Sequence, residues 1–297
     1  MKKLFNVIGI GEILWDLLPQ GKVIGGAPAN FAYHASELGA RGYAVSAVGN
    51  DPLGDEIINT LSSYSIDLRL QRTDYPTGTV KVSLNDEGIP EYEITRNVAW
   101  DYISLTNSIL KLARNADAVC FGSLAQRNVC SRETITGFMK NVPDASLKVF
   151  DINLRQDFYS KELIDDSLKL SNILKINDEE LEIVSQLFGI SGTLEERCMK
   201  LIGAYNLRIL ALTCGTKGSY LFRDGETSFM VTPVVEVKDT VGAGDSFTAG
   251  MVMGLLNNKS LKQCHLEAVN LAAYVCTQHG AMPPYISQLQ RLIETSL

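Results

Sequence analysis

Asp245 is the residue around which chemistry can be built. It closes the segment Asp239-Thr240-Val241-Gly242-Ala243-Gly244-Asp245, and an apolar helical run, Phe247 to Leu256, follows it. A strand-like run, Met230 to Val237, precedes it. The small residues Gly242, Ala243 and Gly244 therefore stand where a helix begins. A helix start presents backbone N–H groups without intrahelical partners, and the helix dipole adds roughly half a positive charge there. With no side chains in the way, an anion such as a phosphate can approach those amides closely. An isolated Asp in that position would only complement the dipole, worth about 0.3–1 kcal/mol. The dipole is also expected to keep the Asp245 carboxylate ionised, and hence a weak general base.

A second segment of the same character is Gly25-Gly26-Ala27-Pro28-Ala29-Asn30-Phe31-Ala32. Two glycines precede a helix, and Asn30 in its first turn offers both donors and acceptors to hydroxyls. Taken alone, it could be a plain loop-to-helix joint. Likewise Asn177-Asp178-Glu179-Glu180 reads by itself as a helix N-cap with an acidic first turn. No G-x-x-x-x-G-K-[ST], H-E-x-x-H, G-x-S-x-G or protein-kinase pattern occurs. Gly9-x-Gly11 lacks the rest of the dinucleotide fingerprint, which argues against a dinucleotide-dependent oxidoreductase. His34, His265 and His279 are scattered over helical patterns and read as structural.

These segments need a frame. Short apolar runs (Phe5 to Leu14, Tyr43 to Val48, Ala118 to Gly122, Lys148 to Ile152, Ile173 to Ile176, Ile209 to Thr213) alternate with helical patterns. Pro28 to Leu38 is one such helix, Asp51-Pro52 opens another, and Leu261, Cys264, Ala268, Leu271, Ala272 and Val275 form a core stripe on a third. That alternation predicts a mostly parallel sheet covered on both faces. Residues 79 to 94 break the rhythm and read as a hairpin around Asn85-Asp86-Glu87-Gly88.

Composition narrows the partners. The net charge of −7 leaves no basic face for nucleic acid. No apolar stretch approaches the length of a membrane span, and the start, Met1-Lys2-Lys3 then Leu4 to Ile10, reads as a buried strand because Asn6, Glu12 and Asp16 interrupt a leader pattern. The six cysteines form no C-x-x-C and mostly sit in apolar runs, as buried thiols of a cytoplasmic protein do.

Together the two glycine-bearing segments resemble the PfkB carbohydrate kinases, the ribokinase-like family, whose members carry a di-glycine motif early in the chain and D-T-x-G-A-G-D in the last third. The resemblance runs from Gly9-x-Gly11-Glu12 to Gly280-Ala281. It implies an α/β fold: a ribokinase-like three-layer sandwich with a mostly parallel central sheet, helices on both faces and a small β-sheet lid. Residues 1–297 would form one domain, the lid coming from about 14–25 and 72–99. It implies transfer of the ATP γ-phosphate to a primary sugar hydroxyl, with Mg²⁺ and, in many members, K⁺. A lid of this kind often clasps a second copy, so a homodimer is expected.

The resemblance also assigns roles. Asp245 matches the catalytic base, and Gly242, Ala243 and Gly244 match the anion hole. Asp16, in Gly11-Glu12-Ile13-Leu14-Trp15-Asp16, matches a sugar-hydroxyl ligand, and Gly26 and Asn30 match the di-glycine contacts. Asn153 and Arg155, in Asp151-Ile152-Asn153-Leu154-Arg155, match polar residues near the phosphates. Asn177 and Glu180 match an N-x-x-E motif tied to Mg²⁺ and phosphate placement. Thr213, Gly215 and Gly218 match a T-x-G-x-x-G segment beside the nucleotide, and Asp239 and Thr240 lie near a monovalent-cation site. An Asn commonly stands eleven residues before the glycine matching Gly280; that place holds Val269, and Asn270 follows. Trp100-Asp101 sits where the fructokinase branch has an acid beside an aromatic, and the first motif has that branch's form. Fructose is therefore the expected acceptor, with ribokinase and 2-keto-3-deoxygluconate kinase as the alternatives. A catalytically silent sugar- or nucleotide-binding sensor on the same scaffold stays open.

Overall fold

A computed structural model describes residues 3–18, 21–84, 90–223 and 225–285. The strands are β1 (Asn6–Ile10), β2 (Leu14–Leu18), β3 (Gly21–Gly25), β4 (Arg41–Gly49), β5 (Asp67–Thr73), β6 (Gly78–Leu84), β7 (Pro90–Ile94), β8 (Ala118–Phe121), β9 (Leu147–Asp151), β10 (Ile173–Asn177), β11 (Ile209–Thr213), β12 (Ser219–Arg223) and β13 (Glu226–Met230). The α-helices are α1 (Ala27–Glu37), α2 (Pro52–Leu61), α3 (Asn107–Ala113), α4 (Val129–Met139), α5 (Lys161–Leu170), α6 (Asp178–Phe188), α7 (Leu194–Tyr205), α8 (Ala243–Leu256) and α9 (Leu261–Cys276).

The large sheet runs β13-β12-β11-β10-β9-β8-β1-β4-β5. From β11 to β5 every neighbour is parallel; β12 and β13 extend that edge antiparallel. Parallel strands covered on both faces read as near-continuous apolar runs, which is why the sequence betrays them. Alternate residues go to opposite faces. Ile8, Val119, Phe150, Leu174 and Leu210 pack with the apolar sides of α3 to α7, whereas Val7, Ala118, Val149, Ile173 and Ala211 pack with α1, α8 and α9. Three layers result, as expected.

The small sheet has the order β3-β2-β6-β7. β6 and β7 form the expected hairpin; its turn, Asn85-Asp86-Glu87-Gly88, lies outside the described residues. β2 and β6 run parallel, so the chain leaves β1 directly into this second sheet. Residues 72 and 73 belong to β5 of the large sheet, so they do not join the small one. Met230 to Val237 also departs from expectation: β13 ends at Met230 and no strand continues. Pro233 lacks the N–H a ladder needs, and Val231, Val234 and Val237 are exposed. Among the described residues no helix is long and apolar enough to cross a membrane.

How the helices begin is what positions the site. Asp51, Thr106, Asn128, Ser160, Asn177, Thr193 and Ser260 each accept a backbone N–H with the side chain, capping α2 to α7 and α9. α1 and α8 start instead on Gly26 and Gly242, and no side chain caps either.

Candidate active site

The two uncapped helices pack on each other, and their starts meet. Asn30 Nδ2, in the first turn of α1, donates a 2.8 Å hydrogen bond to Asp245 Oδ2, in the first turn of α8. The segments read separately from the sequence are thus one site. Gly242 has φ 79°, the left-handed region that favours glycine, and a Cβ there would lie 2.7 Å from Ala281. The turn is fastened behind by Asp239. Its Oδ1 accepts the Val241 N–H at 3.0 Å and its Oδ2 the Gly280 N–H at 3.1 Å. Thr240 is exposed, and its carbonyl accepts the Ala243 N–H.

The di-glycine has its own physical reason. A Cβ on Gly26 would strike the Glu12 carbonyl, and its φ of 124° suits glycine. A Cβ on Gly25 would strike the Asp16 carboxylate, which crosses from β2 over β3. Burial pushes the Asp16 carboxyl up to about 6, with the Arg155 charge pulling the other way. Glu12 is also raised by burial; backbone amides and Arg155 oppose it. Arg155 is exposed, and its Nη1 donates to the Leu154 carbonyl at 3.0 Å. Asn153, at φ 44°, offers its carbonyl to Ser123 Oγ.

Asp245 does not behave as its helix position alone predicts. Burial, and then the nearby Asp151 carboxylate, push it up to about 7, against the Asn30 hydrogen bond and the Lys175 ammonium. The dipole of the helix start is outweighed by what the rest of the fold packs around it. The expectation of a firmly ionised, weak base is therefore corrected: the carboxyl titrates near neutrality.

Lys175 is the residue that sequence reasoning missed. It lies in β10 within Ile173-Leu174-Lys175-Ile176, is buried, and pairs with Asp151 of β9 at 3.1 Å. Asp151 Oδ2 in turn accepts Thr248 Oγ1 of α8 at 3.0 Å. The available signal was a lone charge in an otherwise apolar strand, since an unpaired charge is rarely buried.

Asn177 and Glu180 form a capping box: Asn177 Oδ1 accepts the Glu180 N–H and Glu180 Oε2 accepts the Asn177 N–H. Glu180 Oε1 accepts the Leu154 N–H at 2.9 Å. Both Glu180 oxygens are thus engaged by backbone amides. Among the described residues no group of three or more His, Cys, Asp or Glu could hold a metal ion. Asp239 likewise has both oxygens on amides and fastens the turn.

Thr213 is the register partner of Asn177 on the adjacent strand, and Gly215 and Gly218 follow in a turn with φ 54° and 122°. Gly215 is tied to Thr232, whose hydroxyl donates to its carbonyl. Asn270 is half-buried in α9. Trp100 has no exposed surface, and its ring lies against Gly78 and 4.0 Å from the Arg127 guanidinium. Asp101 is buried in an ion pair with Arg127 at 2.8 Å. His34 and His265 are structural, as expected: both are hydrogen-bonded in the interior, and burial lowers each to about 4.

Glu12, Asn153, Asn177 and Thr213 all lie at or just past the carboxyl ends of parallel strands, where α/β sheets bind ligands. Residues 20–288 match the pfkB family of carbohydrate kinases. The chain belongs to that family. Relatives agree with it over nearly the full length. A sugar kinase of Pyrococcus horikoshii is 32 % identical over 94 % of this chain and 92 % of its own. The fructokinase of Salmonella typhimurium is 30 % identical over 95 % of this chain and 97 % of its own. The Pyrococcus horikoshii protein has been solved in complex with ATP; it superposes on this PfkB kinase with a TM-score of 0.83 at 29 % identity, covering 99 % of this chain and 100 % of that one. The chain is thus a carbohydrate kinase, a phosphotransferase with an alcohol group as acceptor, on a ribokinase-like fold.

Proposed function

We propose that this PfkB kinase transfers the γ-phosphoryl group of ATP to a primary hydroxyl of fructose. The observation that carries the reading is the Asn30–Asp245 hydrogen bond, which joins the di-glycine segment to the anion-binding turn. Fructose is supported by Gly11-Glu12-Ile13-Leu14-Trp15-Asp16, Gly25-Gly26-Ala27-Pro28-Ala29-Asn30 and Asp151-Ile152-Asn153-Leu154-Arg155, which have the form of the fructokinase branch, and by the Salmonella typhimurium relative. ATP is supported by the Pyrococcus horikoshii complex.

The sugar is held by Asp16 and Asn30. Asn30 Oδ1 is buried without a hydrogen-bond partner among the described residues, so it can accept from a sugar hydroxyl while Nδ2 stays on Asp245. That leaves the acceptor hydroxyl beside the Asp245 carboxylate. Its oxygen attacks the γ-phosphorus, the bond from that phosphorus to the β–γ bridging oxygen breaks, and the hydroxyl proton passes to Asp245. A carboxyl titrating near 7 is well matched to that proton transfer at neutral pH. The first-turn amides of α8, uncapped by any side chain, receive the charge that develops on the transferred group. The transition state is loose, so this positioning and charge stabilisation are most of the catalysis. Mg²⁺, when bound, would supply charge neutralisation on the nucleotide phosphates, and Glu180 is the residue that would help to hold it. The small sheet acts as a lid that excludes water and as the clasp of a homodimer, which light scattering would detect as twice the monomer mass.

The test is coupled ADP release over fructose, ribose and 2-keto-3-deoxygluconate, with Mg²⁺ and with or without K⁺. Fructose should give the highest kcat/KM. ADP release no faster with any sugar than without would overturn the reading; preference for another of the three would keep the kinase and change its acceptor.

A further inference from the structure

Beneath the anion-binding turn lies a buried charge that the proposed mechanism does not yet use. Lys175 and Asp151 are direct register partners on β10 and β9, on the face that α8 covers. A Cβ built on Gly244 would lie 3.0 Å from Lys175 Nζ, so the ammonium sits directly under that peptide. Thr248, one turn further along α8, ties the helix to the same pair through Asp151 Oδ2. The ion pair thus fixes both the height of the helix start and the charge beneath it.

The surroundings are acidic. Carboxylates face this ammonium from every side: Asp151 from β9, Glu180 from α6, Asp245 from α8; the Cys120 thiol of β8 and Glu12, just past β1, share the same field. Burial pulls the Lys175 pKa down, but Asp151, Glu180 and Asp245 outweigh it, and its pKa is raised. Replacing a buried pair by apolar residues is often neutral or stabilising, so stability alone gives little reason to bury one here.

We propose that Lys175 is the positioning residue that sets the charge of the phosphoryl-transfer site: its ammonium, held by Asp151 under Gly244, supplements the positive end of α8. The inference rests on the kinase reading above. It acts through the backbone and the local field, since a buried ammonium touches neither sugar nor nucleotide. Two consequences separate it from a merely structural role. Charge that develops only in the transition state should feel Lys175 more than bound ATP does. Loss of the ammonium should also raise the pH at which Asp245 becomes active.

The experiment compares Lys175→Met, which removes the cation and leaves Asp151 in place, with Lys175→Arg, which keeps the cation. In Lys175→Met kcat should fall about a hundredfold with KM for ATP and sugar within about threefold. The acid limb of its kcat profile should move to higher pH, and affinity for ADP with aluminium fluoride should drop with kcat while affinity for ATP is kept. Lys175→Arg should restore the wild-type acid limb. Folded Lys175→Met with near-wild-type kcat and an unmoved limb overturns the proposal. Should it not fold, the wild-type protein still decides: its Lys175 ammonium resonance, assigned by its loss in Lys175→Arg, must shift on adding ADP with aluminium fluoride, and an unchanged resonance overturns the proposal. Wild-type protein that releases no ADP with any sugar would instead overturn the kinase reading itself.

Discussion

The Asp16 carboxylate occupies the space that a side chain on Gly25 would need. The two are two strand positions out of register on neighbouring strands, Leu14 being opposite Gly25 and Asp16 opposite Val23, so the carboxylate leans diagonally across the small sheet. Gly25→Ala should displace it. With Asp16 holding the sugar, KM for the sugar should rise tenfold or more while KM for ATP stays within about twofold, as steady-state kinetics on both substrates would show; equal effects on the two would sink the assignment.

Asn30 Nδ2 lowers the Asp245 pKa by donating to its carboxylate. Removing that donor in Asn30→Ala lets burial and Asp151 push the carboxyl further up. A base is active only when deprotonated, so the acid limb of kcat against pH should move to higher pH, and rates at pH 6 should suffer more than rates at pH 9. A parallel drop at all pH values would be the contrary outcome.

Asp245→Asn should cut turnover by about two to four orders of magnitude and leave sugar affinity, by calorimetry, within about threefold. The sign of its stability effect follows from a folded carboxyl held near 7 against an ordinary value of 3.8. The folded state binds the proton more tightly, so ionisation costs stability as pH rises from about 4 towards 7. The variant escapes that cost. Its melting temperature should exceed wild type by at least about 2 °C at pH 8, and the gain should vanish by pH 4.

Two glycines outside the site predict opposite signs. Gly203 lies in α7 with nothing near where a Cβ would go, so Gly203→Ala should gain about 0.5–1 kcal/mol. Gly254 lies where α8 meets α9, and a Cβ there would sit 2.9 Å from Cys264 Sγ and 3.0 Å from its Cα. Gly254→Ala should cost about 1–3 kcal/mol through overpacking. Urea melts of the two variants decide both.

The buried parallel strands were legible because burial on both faces writes a solid apolar run, and α1 and α8 because glycine precedes an apolar helix. β5, Asp-Leu-Arg-Leu-Gln-Arg-Thr, was not legible: it is an edge strand with a charged, half-exposed sequence. The stretch after Met230 misled for the converse reason, since its valines are exposed. Asp245, Asn30 and the glycines between 242 and 244 could be found because local backbone need restricts residue type. The Lys175–Asp151 pair and the upward pull on Asp245 could not, because both arise from groups brought together across β9, β10 and α8, and no local pattern encodes a neighbour 24 or 94 residues away.

Among the described residues seven helices cap themselves, and the two that do not are the two that converge. A serine or aspartate in place of Gly26 or Gly242 would be the obvious way to make the protein sturdier, yet it would seat a tethered oxygen on the amides that the proposed reaction needs free. Robustness and turnover therefore compete for the same few hydrogen atoms, and the chain has left its own secondary structure unfinished for a passing molecule to complete.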